Sequence, residues 1–212
     1  MIFSLPHSES LKLKFGMSTP RIQRLAKKYR TPKQVQAYLR KLPYNRELQG
    51  ETLRSADQAL KKGRAHCLEA AFIAAAILEL HGYPPRVLSF ESQDGLDHVI
   101  FVYQHKGLWG AVARSRDEGL HGRPAIFKTP RALALSYFDP YVDHSGRITA
   151  YQIAHLDSVN ADWRASRKNV WALETYLLKL RHRPIKSSDR RYRELLEAYL
   201  AQGPMPRQRF WW

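Results

Sequence analysis

Ile22, Leu25 and Ala26 recur three and four residues apart, the spacing of one helix face, and Thr19-Pro20 ahead of them is a start signal with proline near the first helical position. The pattern returns after Thr31-Pro32, where Val35, Tyr38 and Leu39 share a face up to the limit set by Pro43. Ala56 and Leu60 predict a third short element before Gly63. From His66 to His81 the pattern changes. Leu68, Ala71, Phe72, Ala75, Ala76, Leu78 and Leu80 leave little polar surface, which predicts a helix buried on most sides and stopped by Gly82. Residues 85–90, 98–103 and 108–113 predict strands, the second rich in β-branched and aromatic side chains. His105-Lys106-Gly107 predicts a hairpin between the last two. Residues 117–130 read as a loop, 132–137 as a short helix, Asp139-Pro140 and Ser145-Gly146 as turns, and 148–153 as another strand. Helical spacing resumes from about Ser166 through Val170, Leu173, Tyr176, Leu177 and Leu180 until Pro184. It resumes again from Asp189 through Leu195, Leu196 and Leu200 to the break at Gly203-Pro204.

A chain of 212 residues that is 44% hydrophobic suits one domain over 1–212, with a core at about 50–155 and helical flanks at 18–49 and 160–201. The longest apolar stretch, residues 70–78, is too short to predict a transmembrane segment, and the first ten residues lack a signal-peptide pattern. A single cysteine excludes an internal disulfide, so the expected location is cytoplasmic.

The net charge of +16 is unevenly spread. There are 15 basic and 4 acidic side chains up to Arg64, 8 and 9 from Ala65 to Ala150, and 12 and 6 beyond. Basic flanks of this kind either attract an anionic partner, phosphate backbone or lipid, or form solvated helix faces. Tyr29, Tyr38, Tyr44, Tyr192, Trp211 and Trp212 interleave with the basic residues, which keeps nucleic-acid binding open as an alternative. No helix-turn-helix, RNP or zinc-finger pattern accompanies them.

Cys67 falls at the predicted start of the buried helix, where unpaired N–H groups and a partial positive charge lower a thiol's pKa. A histidine nearby would complete the activation. The plain alternative is a small buried hydrophobe, the usual role of a lone cysteine.

The order of residues bears on that choice. Gly63-Arg64-Ala65-His66-Cys67 precedes an alanine-rich helix; then come Gly82 with Arg86-Val87, His98 opening a strand, and Trp109 on the next. Over residues 63–115 this resembles the transglutaminase-like superfamily. The resemblance implies an α+β, papain-like core in which a buried helix carrying the cysteine packs on a small antiparallel sheet, with helical extensions at both ends. It implies Cys67 as nucleophile and His98 as general acid and base in acyl transfer or amide hydrolysis through a thioester. The substrate would be a peptide or another amide or ester; no cofactor and no metal is implied.

The family's orienting acid, four residues after the tryptophan, falls on Ala113. Counting by twos along the strand face from Trp109 makes Ser115 the first polar substitute, with Asp117 next and Asp139 a distant third. The missing carboxylate fits either a dyad enzyme or a catalytically inactive binding module of the same fold. Gln58 reads as a second oxyanion donor or as a surface residue. His66, next to Cys67, is expected to face the cleft rim or solvent. Asp94 and Asp97 beside His98 read as solvated turn residues or as groups raising the imidazole pKa. His105, His121, His144, His155 and His182 show no metal-ligand spacing, and Gly119, Gly122 and Pro124 make no phosphate loop.

Overall fold

A computed structural model describes residues 18–93, 95 and 98–206. Asp94, Asp97, Trp211 and Trp212 lie outside the described residues. Helices α1 (Pro20–Lys28) and α2 (Pro32–Lys41) begin at their Thr-Pro pairs, where the Thr19 and Thr31 hydroxyls accept from the N–H groups of Ile22 and Gln34. Each buries the expected face, Ile22 with Ala26 and Val35 with Leu39. Arg24, Lys27 and Lys28 of α1 stay exposed. Helix α3 (Ala56–Lys62) is capped by Ser55 and stopped by Gly63, whose φ of 67° needs no adjustment without a Cβ.

Helix α4 (Cys67–Leu78) has eleven of its twelve residues buried, so it has no solvent face. It continues as a 3₁₀ turn, Glu79–His81, and ends at left-handed Gly82. The polar end of α4 is held by Arg164, which bonds both carboxylate oxygens of buried Glu79 at 2.6 Å and also Asp157.

Strands β1 (Arg86–Ser92), β2 (Val99–His105), β3 (Leu108–Val112), β4 (Arg123–Phe127), β5 (Ile148–His155) and β6 (Arg183–Pro184) form one sheet in the order β4-β3-β2-β1-β5-β6. All neighbouring pairs are antiparallel. The β2–β3 hairpin turns on Lys106 and Gly107, both at positive φ, between paired His105 and Leu108. Strand alternation then sorts side chains to two faces. Val87, Val99, Phe101, Tyr103 and Val112 join α4 in one core; Leu88, Phe90, Ile100 and Val102 join a second core with Leu133, Tyr137 and Phe138. The second face is covered by α5 (Pro130–Leu135) and α6 (Phe138–Tyr141), with α8 (Asp189–Gln202) packing Tyr192, Leu195 and Leu196 on it. Helix α7 (Trp171–Lys179) sends Leu173 and Leu177 into the α4 core.

The architecture is thus α+β. Three local expectations are corrected. Residues 117–130 are not a plain loop. They hold a 3₁₀ turn, Glu118–Leu120, and edge strand β4, which tolerates Pro124 because an edge residue can forgo one ladder bond. Asp139-Pro140 lies inside α6 rather than in an open turn. Helix α7 starts at Trp171, not near Ser166, because Asp162 and Ser166 spend their side chains on local turns with Ala165 and Lys168; the helix stops at Lys179, and Pro184 sits in β6. Among the described residues no helix is long and apolar enough to cross a membrane.

Candidate active site

Cys67 is the first residue of α4. The approach to it is fixed by backbone pairing: Asn45 N–H donates to Ala65 O at 3.1 Å, and Ala65 N–H to Pro43 O at 3.2 Å. His66, the N-cap, is extended (φ −83°, ψ −177°). Its N–H donates to Oε2 of Glu69 at 3.2 Å, the return half of a capping box. The half-buried sulfur therefore stands at the positive end of a helix whose first N–H groups have no intrahelical partner.

The His66 and His98 imidazoles both act on this sulfur. Burial opposes ionisation of the thiol, but these two rings outweigh it and hold Cys67 well below the usual thiol value. His66 lines the cleft, as expected of a rim residue, and its ring also acts on the Cys67 sulfur, which was not expected. Consecutive residues diverge inside a helix, yet the extended N-cap conformation lets the His66 ring fold onto its neighbour. Its Nε2 lies 2.9 Å from the Thr52 carbonyl oxygen and 3.8 Å from Oε1 of Glu69. Glu69 is fully buried, and its Oε1 also accepts from Arg54 N–H at 2.9 Å, Arg54 Nη1 at 3.4 Å and the Thr52 hydroxyl at 3.3 Å. Burial works against a charge on His66, but Cys67, Glu69 and Glu47 overcome it and raise its pKa to about 9.

His98 immediately precedes β2 and has the strand parity of Ile100 and Val102. Its ring stacks on Phe90 at 6.0 Å with 5° between planes and lies 6.1 Å from the Tyr137 ring. Its Nε2 is 3.3 Å from the Leu120 carbonyl oxygen. The imidazole thus packs with the second core yet acts on the sulfur at the head of α4 in the first, which places the site where the two faces meet.

Ser115 is buried, and its carbonyl accepts from Arg114 and from His121 Nε2 at 3.3 Å. Burial, reinforced by the Arg114 charge, pushes His121 down to about 4. Asp117 pairs with Arg116 at 3.2 Å, and Asp139 pairs with Arg191. Gln58 is half-buried on α3 and does not line the cleft. Ala113, where the family's acid would fall, has its N–H and C=O both bonded by the Gln36 side chain at 2.8 Å.

Cys67 and His66 line a cleft of about 410 Å³ with Tyr44, Trp171 and Leu177. Glu47, Glu51 and Glu174 also line it, and among the described residues no lysine or arginine does, against the basic character of the whole chain. Burial and then the Glu51 charge raise the pKa of Glu174. Burial, followed by the negative Cys67, raises that of Tyr44. Among the described residues no group of three or more His, Cys, Asp or Glu side chains is placed to hold a metal ion.

Sequence reasoning missed His66 as a partner of the sulfur, and with it Glu69, Thr52 and the Leu120 carbonyl. Glu69 carried a readable signal, an acid three residues after a helix N-cap. A backbone carbonyl such as that of Leu120 carries none. No protein-family model and no curated protein matches this chain.

Proposed function

We propose that this chain is a cysteine-dependent acyl-transfer or amide-hydrolysing enzyme built on a papain-like, transglutaminase-like core. One observation carries the reading: Cys67, at the first turn of a buried helix and beside an open cleft, is held well below the usual thiol pKa by the His66 and His98 imidazoles. The placement of His98 at the start of β2, on a sheet that packs against the cysteine helix, supports the kinship in fold.

The chemistry follows from the atoms present. The His98 Nε2–H donates to the Leu120 carbonyl, leaving Nδ1 unprotonated and free to take the thiol proton. As that proton leaves, sulfur bonds to the carbonyl carbon of an amide or ester, and the carbonyl π pair moves to oxygen. The free N–H of Cys67 is one donor for that oxyanion. Collapse breaks the bond to the leaving amine or alcohol, which takes the proton from His98. Water or an amine then adds to the thioester, gives its proton to His98, and releases sulfur. The Leu120 carbonyl does part of what an orienting carboxylate does: it selects the tautomer without supplying a counter-charge. Ser115 and Asp117 stand on the segment leading to that carbonyl.

Incubation with an activated acyl donor such as p-nitrophenyl acetate, read by intact mass, tests the reading. The expected result is one acyl group on the wild type, located at Cys67 and absent from Cys67→Ala. No acylation, together with a thiol that alkylates only near its free pKa, would overturn it in favour of a non-catalytic binding module.

A further inference from the structure

We propose that His66, held by the Thr52 carbonyl and the buried carboxylate of Glu69, is the cationic residue that stabilises the Cys67 thiolate, while His98 moves the proton. The inference rests on the acyl-transfer reading and assigns the two imidazoles at its centre different tasks.

The geometry separates them. His66 Nε2 sits 2.9 Å from a carbonyl oxygen and 3.8 Å from a carboxylate oxygen that has no exposure to solvent. A buried carboxylate favours a charged neighbour strongly, because little water screens the pair. His98 has a neutral carbonyl at its Nε2, the Phe90 ring stacked on it and the Tyr137 ring tilted beside it. Among the described residues no carboxylate hydrogen-bonds it. A positive charge is therefore supported by a carboxylate on His66, and by no hydrogen-bonded carboxylate of the described residues on His98.

The charged and titratable groups around His66 come from every element packed on it. Cys67 and Glu69 share its helix; Glu47 lies in the loop before α3, and Glu174 approaches from α7. Arg54 spends its N–H and guanidinium on Glu69. Negative groups dominate, and the raised pKa of His66 agrees with that balance. In the cycle His66 keeps both ring protons. It gains and loses nothing as the C–S bond forms and breaks, so it is a positioning and charge-stabilising residue for the sulfur.

The test is the rate of iodoacetamide alkylation of Cys67 between pH 5 and 10, on the full chain, in the wild type, His66→Gln, Glu69→Gln, the double variant and His98→Gln. At pH 6, His66→Gln should slow alkylation by on the order of tenfold, since the thiolate fraction falls with each unit that the thiol pKa rises. Glu69→Gln, which keeps the capping acceptor, should slow it less and add nothing to His66→Gln. His98→Gln should retain most of the fast alkylation at pH 6. An unchanged rate in His66→Gln with a collapse in His98→Gln would overturn the assignment. Imidazole ¹⁵N shifts of the wild type check it without a variant: one of the two rings at the sulfur should stay doubly protonated to about pH 9, and neither doing so above neutrality would also overturn it. Because alkylation needs no acyl substrate, these outcomes stand apart from those of the acylation experiment. An enzyme that acylates yet ignores His66 loses this inference alone.

Discussion

His66 and Glu69 lie within one helical turn of Cys67, whereas His98 reaches the same sulfur only after the chain has left α4, run through β1 and returned. The first side is a local construction: an N-cap, its capping glutamate and the loop residues Thr52 and Arg54 that bond that glutamate. The second is a tertiary one, an imidazole that completes a cluster with the Phe90 and Tyr137 rings and is touched by a carbonyl from the segment after β3. The two sides differ in polarity as well. One brings charge and is screened by little solvent; the other brings aromatic rings and a neutral dipole. In the proposed mechanism the thiol between them has a counter-charge on one side and a base on the other.

The contrast can be broken most severely from the His98 side. His98→Gln should lower turnover of an acyl substrate by roughly 10²- to 10⁴-fold, as loss of a general acid–base group does, with the fold intact by circular dichroism. Phe90→Ala should follow. It removes a fully buried ring from the stack under His98, and thermal or urea denaturation should show a loss of about 3–5 kcal/mol. On the local side the costs should be smaller. Glu69→Gln should lower stability by about 1–3 kcal/mol, since charged acceptors bind Arg54 and the helix N-cap more tightly than an amide does. Its pH dependence carries a sign. The raised pKa of His66 contributes stability in full below about 6.5, its ordinary value, and loses it as pH rises through about 9, so the stability gap between wild type and His66→Gln should narrow across that window. Leu200→Ser serves as the control far from both sides. Leu200 is 67% exposed on α8, and its substitution should stay within about 0.5 kcal/mol.

How far these features could be read in advance follows the same division. The Thr-Pro helix starts, the buried α4 and the β2–β3 hairpin each have a local signature: a capping residue, a composition or a turn glycine. Strand β4 did not. Its five residues include Pro124, and only pairing with Trp109 and Ala111 of β3 makes them a strand. Gln36 was equally hidden. It sits between Val35 and Tyr38 like any surface amide, yet it is buried and bonds the N–H and C=O of Ala113, far along the chain. Its burial satisfies two backbone groups that would otherwise be costly to leave unpaired at the end of the sheet.

The chain's own order of residues settled that a buried helix starts at about His66-Cys67 and stops before Gly82, and that a strand starts at about His98, because caps, glycine stops and apolar periodicity act over a turn or two of backbone. Which groups face the sulfur was decided only in three dimensions. Hydrogen bonds of about 3 Å depend on the N-cap dihedrals of His66, on the stacking of His98 against the second core, and on a carbonyl brought in by the segment after β3. Electrostatic effects on a thiol fall off over a few ångströms and depend on burial, so no spacing along the chain states them before the fold is closed.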